Sequence, residues 1–139
     1  MQRIVVGFDG SEHGHRALER GVEIAKGTGA RLAVVSSAKI SSLMRDPGGG
    51  AAPVDPAEAE ARSQALAASR SYLADQGVDA DFIEGHGSPA DVLVQEAEAT
   101  GADLIVVGTR GLNAAQRLLL GSVSTNVVHH APCDVLVVR

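Results

Sequence analysis

Two short stretches bring together residue types that could do chemistry. In the first, Gly108-Thr109-Arg110-Gly111 is followed after nine residues by Gly121-Ser122, with Val123 and Ser124 just beyond. Glycines in such a segment admit positive φ and leave room for backbone N–H groups to approach the oxygens of an anion. A helix opening at Ser122 would add about half a unit of positive charge at its N-terminus. The hydroxyls of Ser122 and Ser124 are further donors, and Arg110 brings a cation. The chemistry this suggests is non-covalent binding of a phosphate-like anion; glycines that merely end a strand are the alternative. The segment has no Lys after its last glycine, as a Walker A loop needs, and is not a compact G-x-G-x-x-G after a first strand. In the second stretch, Asp9-Gly10-Ser11, a carboxylate closes an apolar run. Asp9 is either a turn residue at a helix entry or an acceptor for ligand hydroxyls.

The remaining reactive side chains do not group. His129 and His130 are neighbours on a helix, about 100° apart, and cannot chelate one ion together. His13 and His15 fall in a first helical turn, and all five histidines read as solvated surface. Cys133, beside Pro132 and ahead of an apolar run, reads as a packed thiol with no base assigned to it. No catalytic residue and no metal-ligand set is identified.

The elements that must position these residues follow from periodicity. Ile4–Phe8, Leu32–Val35 and Leu104–Val107 are short apolar runs of the kind that form strands buried on both faces. Val135-Leu136-Val137-Val138 is a fifth such strand, and Val78–Glu84 a third and weaker one. Ser11 caps a helix carrying Leu18, Gly21, Val22 and Ala25 at i, i+3, i+4, i+7 spacing and ending near Gly27 and Gly29. An Ala-rich helix over about Pro56–Gln76 presents Ala59, Leu66 and Leu73. Ser88-Pro89 starts another, with Ala90, Leu93, Val94 and Ala97 inward, and a short one runs from about Ser122 to His130. The breaker-rich stretch Asp46–Pro53 reads as a loop within one domain. Strands alternating with helices predict a single α/β domain over residues 1–139, a five-stranded parallel sheet doubly wound with helices on both faces. In such sheets ligands bind beyond the carboxyl ends of the strands, where strand order reverses.

Composition excludes several classes of partner. Aromatic residues are 2% of the chain, too few for stacking platforms that hold single-stranded nucleic acid. A net charge of −5 opposes non-specific binding to nucleic acid or anionic lipid. One cysteine permits no internal disulfide and fits a reducing compartment. No apolar stretch approaches 18 residues, and no export signal precedes Ile4. The expected location is the cytoplasm, with no membrane and no nucleic-acid partner.

Over nearly its whole length the chain resembles the universal stress protein family. The resemblance lies in Ile4-Val5-Val6-Gly7-Phe8-Asp9-Gly10-Ser11, in Gly85–Ala90, in Asp103–Gly108 and in Ala131–Val138. The G-x-x-G, nine residues, G-[S/T] pattern is similar to that of the family's ATP-binding members. The resemblance implies a strand order 3-2-1-4-5 and ATP lying across the first and fourth strands. It implies that Asp9 meets the ribose, that Gly7 and Ser37 line the adenine pocket, and that Val107 and Gly108 flank the sugar. Gly111, Gly121, Ser122, Val123 and Ser124 would hold the phosphates, with Arg110 beside them. Ser37 departs from the apolar residue the family usually places over adenine, and Asp134 stands where proline is frequent.

The function this implies is an ATP-binding stress-response or regulatory protein with little or no hydrolysis. Mg²⁺ or Mn²⁺ would be held mainly by the phosphates, and nothing in the chain suggests a positioned general base. An adenylate-transferring or ATP-hydrolysing enzyme is the first alternative, although neither His-x-Gly-His nor Ser-Gly-Gly-x-Asp occurs. A nucleotide-free dimeric scaffold is the second. A homodimer is expected through Val135, Leu136, Val137 and Val138, an apolar edge strand without an internal charge and with only Arg139 after it.

Overall fold

The computed structural model describes residues 1–38, 54–109 and 121–139. The whole loop expected at Asp46–Pro53, and Arg110, Gly111, Arg117 and Leu118-Leu119-Leu120, lie outside the described residues. The apolar runs become β1 (Arg3–Gly7), β2 (Arg31–Ala38), β3 (Ala80–His86), β4 (Leu104–Gly108) and β5 (Asp134–Val138). Between them stand α1 (Glu12–Thr28), α2 (Pro56–Gln76), α3 (Pro89–Thr100) and α4 (Ser122–His130). The sheet runs β3-β2-β1-β4-β5 with every pairing parallel: the parallel sheet is the one expected from the alternation of strands and helices, and the order is the one the family resemblance implies.

The alternation of side chains along β1 explains the two cores. Ile4 and Val6 face one side with Leu32 and Val34, against Leu18 and Val22 of α1 and Leu66 and Leu73 of α2. Val5 faces the other with Ala33, Val35, Ile105 and Val107, against Leu93 and Ala97 of α3 and Val127 of α4. Because both faces are covered, the central strands are uniformly apolar. Helix ends follow their punctuation: Ser11 caps α1, Asp55 accepts from the Ala57 N–H at 2.9 Å ahead of Pro56, and α1, α2 and α3 stop at the left-handed Gly29, Gly77 and Gly101.

The structure moves several predicted boundaries. β1 stops at Gly7, although the Phe8 N–H still donates to Val35 C=O at 2.9 Å. β2 continues through Ser36, Ser37 and Ala38 because β3 runs on to His86 and pairs with all three. β3 begins at Ala80 rather than Val78, since the Val78 N–H is taken by Leu73 C=O in closing α2. On α3, Ala90, Leu93 and Ala97 are buried but Val94 is not, and on α2 the buried set is Ala65, Leu66, Ser69 and Leu73 without Ala59. α3 thus buries a narrower stripe than the apolar spacing suggested, and α2 buries only its second half.

Candidate functional site

Two connections meet at the carboxyl ends of the adjacent central strands. From β1 the chain turns through Asp9 and the left-handed Gly10 (φ 84°) into α1. Asp9 Oδ1 accepts from the Ser11 N–H at 2.9 Å and from the Ser11 hydroxyl, whose oxygen in turn accepts from the Gly14 N–H at 3.1 Å. Asp9 is thus a turn residue that sets the start of α1. Its Oδ2 accepts no hydrogen bond among the described residues, and the side chain is exposed. A Cβ at Gly14 would lie 2.8 Å from Asp9 Oδ1, so the bare helix turn there is what lets the carboxylate lie against it.

From β4 the chain leaves through Gly108 and Thr109. A Cβ at Gly108 would lie 2.7 Å from the carbonyl oxygen of His13, so this glycine is where the first turn of α1 rests directly on the strand. Thr109, only 9% exposed, is tied in three directions. Its N–H donates to Val138 C=O at 2.8 Å, and its C=O accepts from the Gly121 N–H at 2.6 Å and from the Ser124 hydroxyl at 3.1 Å. Its hydroxyl is hydrogen-bonded to His13 Nδ1 at 2.9 Å. α4 therefore begins against Thr109. Its N-cap, Gly121, supplies no side-chain bond, and the first intrahelical bond is Thr125 N–H to Gly121 C=O at 3.0 Å. The N–H groups of Ser122, Val123 and Ser124 are the ones that geometry leaves without helical partners. The helix dipole makes this end positive, and His129 and His130 complement the other.

The residues singled out by sequence fall around this crevice in different ways. A Cβ at Gly7 would lie 2.9 Å from Leu93 Cδ1 and 3.3 Å from Val107 Cγ1, so Gly7 and Val107 adjoin. The Val107 side chain is in the core, which leaves its backbone as the part facing the crevice end. Ser37, at the end of β2, is half-buried and donates to Gly87 C=O at 2.8 Å. Gly121 has φ −66°, so the left-handed conformation that glycine permits is not used there; it appears at Gly10 and Gly87 instead. The Ser124 hydroxyl is 99% buried and shared between Thr109 C=O and Gly121 C=O, which straps the start of α4. Arg110 and Gly111 lie outside the described residues.

Two residues of the site were missed by sequence reasoning. In the sequence Thr109 is only a member of the glycine pattern and His13 is expected at the solvated surface, whereas His13 is half-buried and bonded to Thr109. The glycine three residues after Ser11 was the available signal that something packs closely on the first turn of α1. His15 is exposed, with its ring edge-on to Phe8 at 4.8 Å.

The perturbed carboxylates sit at the opposite, amino end of the sheet. Hydrogen bonding from Arg31, then its charge and that of Arg3, holds the Asp81 carboxyl below its ordinary value. The N–H groups of Arg3 and Gln2, at 2.9 and 2.7 Å, do the same for Asp103. Burial, with Asp134 and Asp103 adding to it, pushes the Cys133 thiol up and away from thiolate reactivity. Among the described residues no three His, Cys, Asp or Glu side chains converge as metal ligands, and no helix is long and apolar enough to cross a membrane.

Comparison with known proteins agrees with this architecture. The family model described as the universal stress protein family matches residues 1–139. Universal stress protein YxiE of Bacillus subtilis (strain 168) is 31% identical over 150 residues, covering 100% of this chain and 99% of that protein. Among solved structures, the universal stress protein UspA from Lactobacillus plantarum superposes with a TM-score of 0.76 at 26% identity, covering 99% and 97% of the two chains. A universal stress protein solved in complex with cAMP superposes with a TM-score of 0.73 at 32% identity, again covering 99% and 97%. With that match running from the first residue to the last, on a sheet of the same topology, the chain belongs to the universal stress protein family.

Proposed function

We propose that this protein binds ATP at the carboxyl ends of β1 and β4 and works as a nucleotide-dependent stress-response or regulatory module with little or no hydrolysis. The observation that carries the reading is the pairing of the α4 N-terminus, without a side-chain cap, with a carboxylate on the neighbouring turn whose second oxygen accepts no hydrogen bond among the described residues. An N-terminus of this kind suits phosphate, and a carboxylate suits ribose hydroxyls. In this reading Asp9 Oδ2 receives the ribose, Gly7 and Ser37 border the adenine, and Val107 and Gly108 flank the sugar. The amides of Ser122, Val123 and Ser124 face the phosphates, with Gly121, Gly111 and Arg110 completing the loop. Mg²⁺ or Mn²⁺ would arrive with the nucleotide and be held by phosphate oxygens and water. The sequence has no Walker-type lysine after its last glycine, and binding is proposed over turnover on that ground. Two copies would associate through β5, whose Val135–Val138 are half-buried at the sheet edge.

A second reading, a single-phosphate adenine nucleotide, is favoured by the relative solved with cAMP. Calorimetric titration with ATP, ADP, AMP and cAMP in Mg²⁺, and mass spectrometry of nucleotide released from freshly purified protein, separate the two. Tighter ATP binding supports the first reading, and tighter AMP or cAMP binding the second. No binding at millimolar nucleotide leaves a scaffold with a purely structural glycine loop.

A further inference from the structure

The two ends of the proposed site are carried by different elements. The turn with Asp9 is part of the start of α1, and the amides that face phosphate are the start of α4. Among the described residues, the side-chain hydrogen bond that joins these two starts is Thr109 Oγ1 to His13 Nδ1, at 2.9 Å. On one side of it, the His13 backbone rests on Gly108, and its helix is fixed by the Ser11 and Asp9 turn. On the other, the carbonyl of Thr109 receives both Gly121 N–H and the Ser124 hydroxyl, so the position of Thr109 is the position of α4.

We infer that His13 and Thr109 form a positioning pair that sets the distance between the ribose carboxylate and the phosphate-facing amides, and so selects a triphosphate over a monophosphate. The inference rests on the proposed nucleotide site and adds two residues to it, neither of which touches the ligand. A monophosphate held by Asp9 and the sugar-flanking backbone makes little demand on the start of α4. The β- and γ-phosphates reach that end only when it stands at the right distance. Freed from its partner, the Thr109 side chain no longer registers one helix start against the other, and the loss falls on the triphosphate.

The test measures ATP and AMP affinity side by side, with Mg²⁺, in wild type, Thr109→Val, His13→Ala and the double variant. Each single change is expected to lower the ATP-to-AMP preference about 3- to 10-fold, the worth of one net hydrogen bond, with AMP itself within about 2-fold of wild type. The double variant should do no worse than the singles, because both remove the same link. Thr109→Ser and His13→Asn, which keep a polar group at each end, should restore the preference. Should Thr109→Val fail to fold, the partly exposed His13→Ala and its Asn rescue carry the same comparison. Wild type that binds ATP, with a preference unchanged in the variants or with ATP and AMP weakened equally, overturns the positioning pair and leaves the nucleotide site standing. Wild type that binds neither nucleotide overturns both.

Discussion

Replacing Gly108 with alanine separates a glycine needed by the fold from one needed only by a ligand. A Cβ at Gly108 would meet the His13 carbonyl oxygen at 2.7 Å and the carbonyl carbon and Cβ at 2.8 Å. These are mostly backbone atoms, so no rotamer change removes the clash. Reaching ordinary contact near 3.5 Å requires the first turn of α1 to retreat by about 0.7 Å. That retreat is resisted, because α1 buries Ala17, Leu18, Gly21, Val22 and Ala25, and a Cβ at Gly21 would already lie 2.6 Å from Val6 Cγ2. The cost is that of overpacking a tight core, about 1–3 kcal/mol, or roughly 4–12 °C in Tm for a domain of this size. Asp9 moves with α1, so ATP and AMP should both weaken, by about tenfold if one charged hydrogen bond is lost. Thermal melting and calorimetric titration read the two effects on the same sample. Gly27→Ala is the control: nothing lies within 4 Å of a Cβ there, and the helix should gain about 0.4–1 kcal/mol. A Gly108→Ala protein that melts at or above wild type would refute the reasoning, and a ligand-only role for this glycine would replace it.

Further outcomes test the site, the assembly and the amino end of the sheet. Asp9→Ala should weaken ATP about 10- to 150-fold, from loss of a charged acceptor worth about 1.5–3 kcal/mol, and should erase the difference between ATP and its 2′-deoxy form; titration with both nucleotides reads this, and a preserved difference argues against the ribose role. Val138 C=O accepts from the Thr109 N–H, so alternate residues 134, 136 and 138 of β5 bond to β4 and Val137 turns its N–H to the sheet edge; Val137→Pro removes that edge donor and should turn the proposed dimer into a monomer by light scattering, whereas a wild type that is monomeric at tens of micromolar contradicts the interface. The Asp103 carboxyl lies below its ordinary value in the folded protein, so its stabilising contribution is complete above the unfolded value of about 3.9 and disappears as pH falls through the lower folded value. Asp103→Asn should accordingly be less stable than wild type at neutral pH and approach it in acid, as chemical denaturation at several pH values would show; an equal deficit at every pH would mean that the charge is not what matters.

The strands were legible because parallel central strands demand uninterrupted apolar runs, and Ile4–Val6 and Leu104–Val107 have little else to be; their order came only from the family resemblance, because apolar runs do not say which strands are neighbours. The ends of β2 and β3 were not legible. Ser36-Ser37-Ala38 and Glu84-Gly85-His86 are strand because they pair with each other, a long-range fact that neither segment announces alone. The wiring of the site was hidden for the same reason. Thr109 and His13 stand 96 positions apart, and a threonine after a glycine or a histidine in a first helical turn gives no hint of the other. Of the two readings open to Asp9, the structure shows the turn: one oxygen accepts from Ser11, and the other accepts no hydrogen bond among the described residues.

Glycine is the residue on which sequence and structure differ most in what they say. The sequence pattern points to close approach of a phosphate, yet at the two glycines that end β1 and β4 the close approach is made by the protein itself. Leu93 stands against Gly7 and the His13 backbone against Gly108. Packing alone accounts for both, so neither adds to the case for a nucleotide. That case rests on what packing among the described residues does not use: the second carboxylate oxygen of Asp9, and the three amides that helix geometry leaves over at the start of α4, behind a glycine cap that offers them no side chain. A serine or aspartate at the cap would have satisfied one of those donors and steadied the helix by about 1 kcal/mol. Glycine at position 121 is not there to adopt positive φ, since its backbone is one that any residue can take. In the reading proposed above it leaves that helix end open, and an open, positive helix end beside the Asp9 carboxylate is an arrangement that a nucleotide would complete.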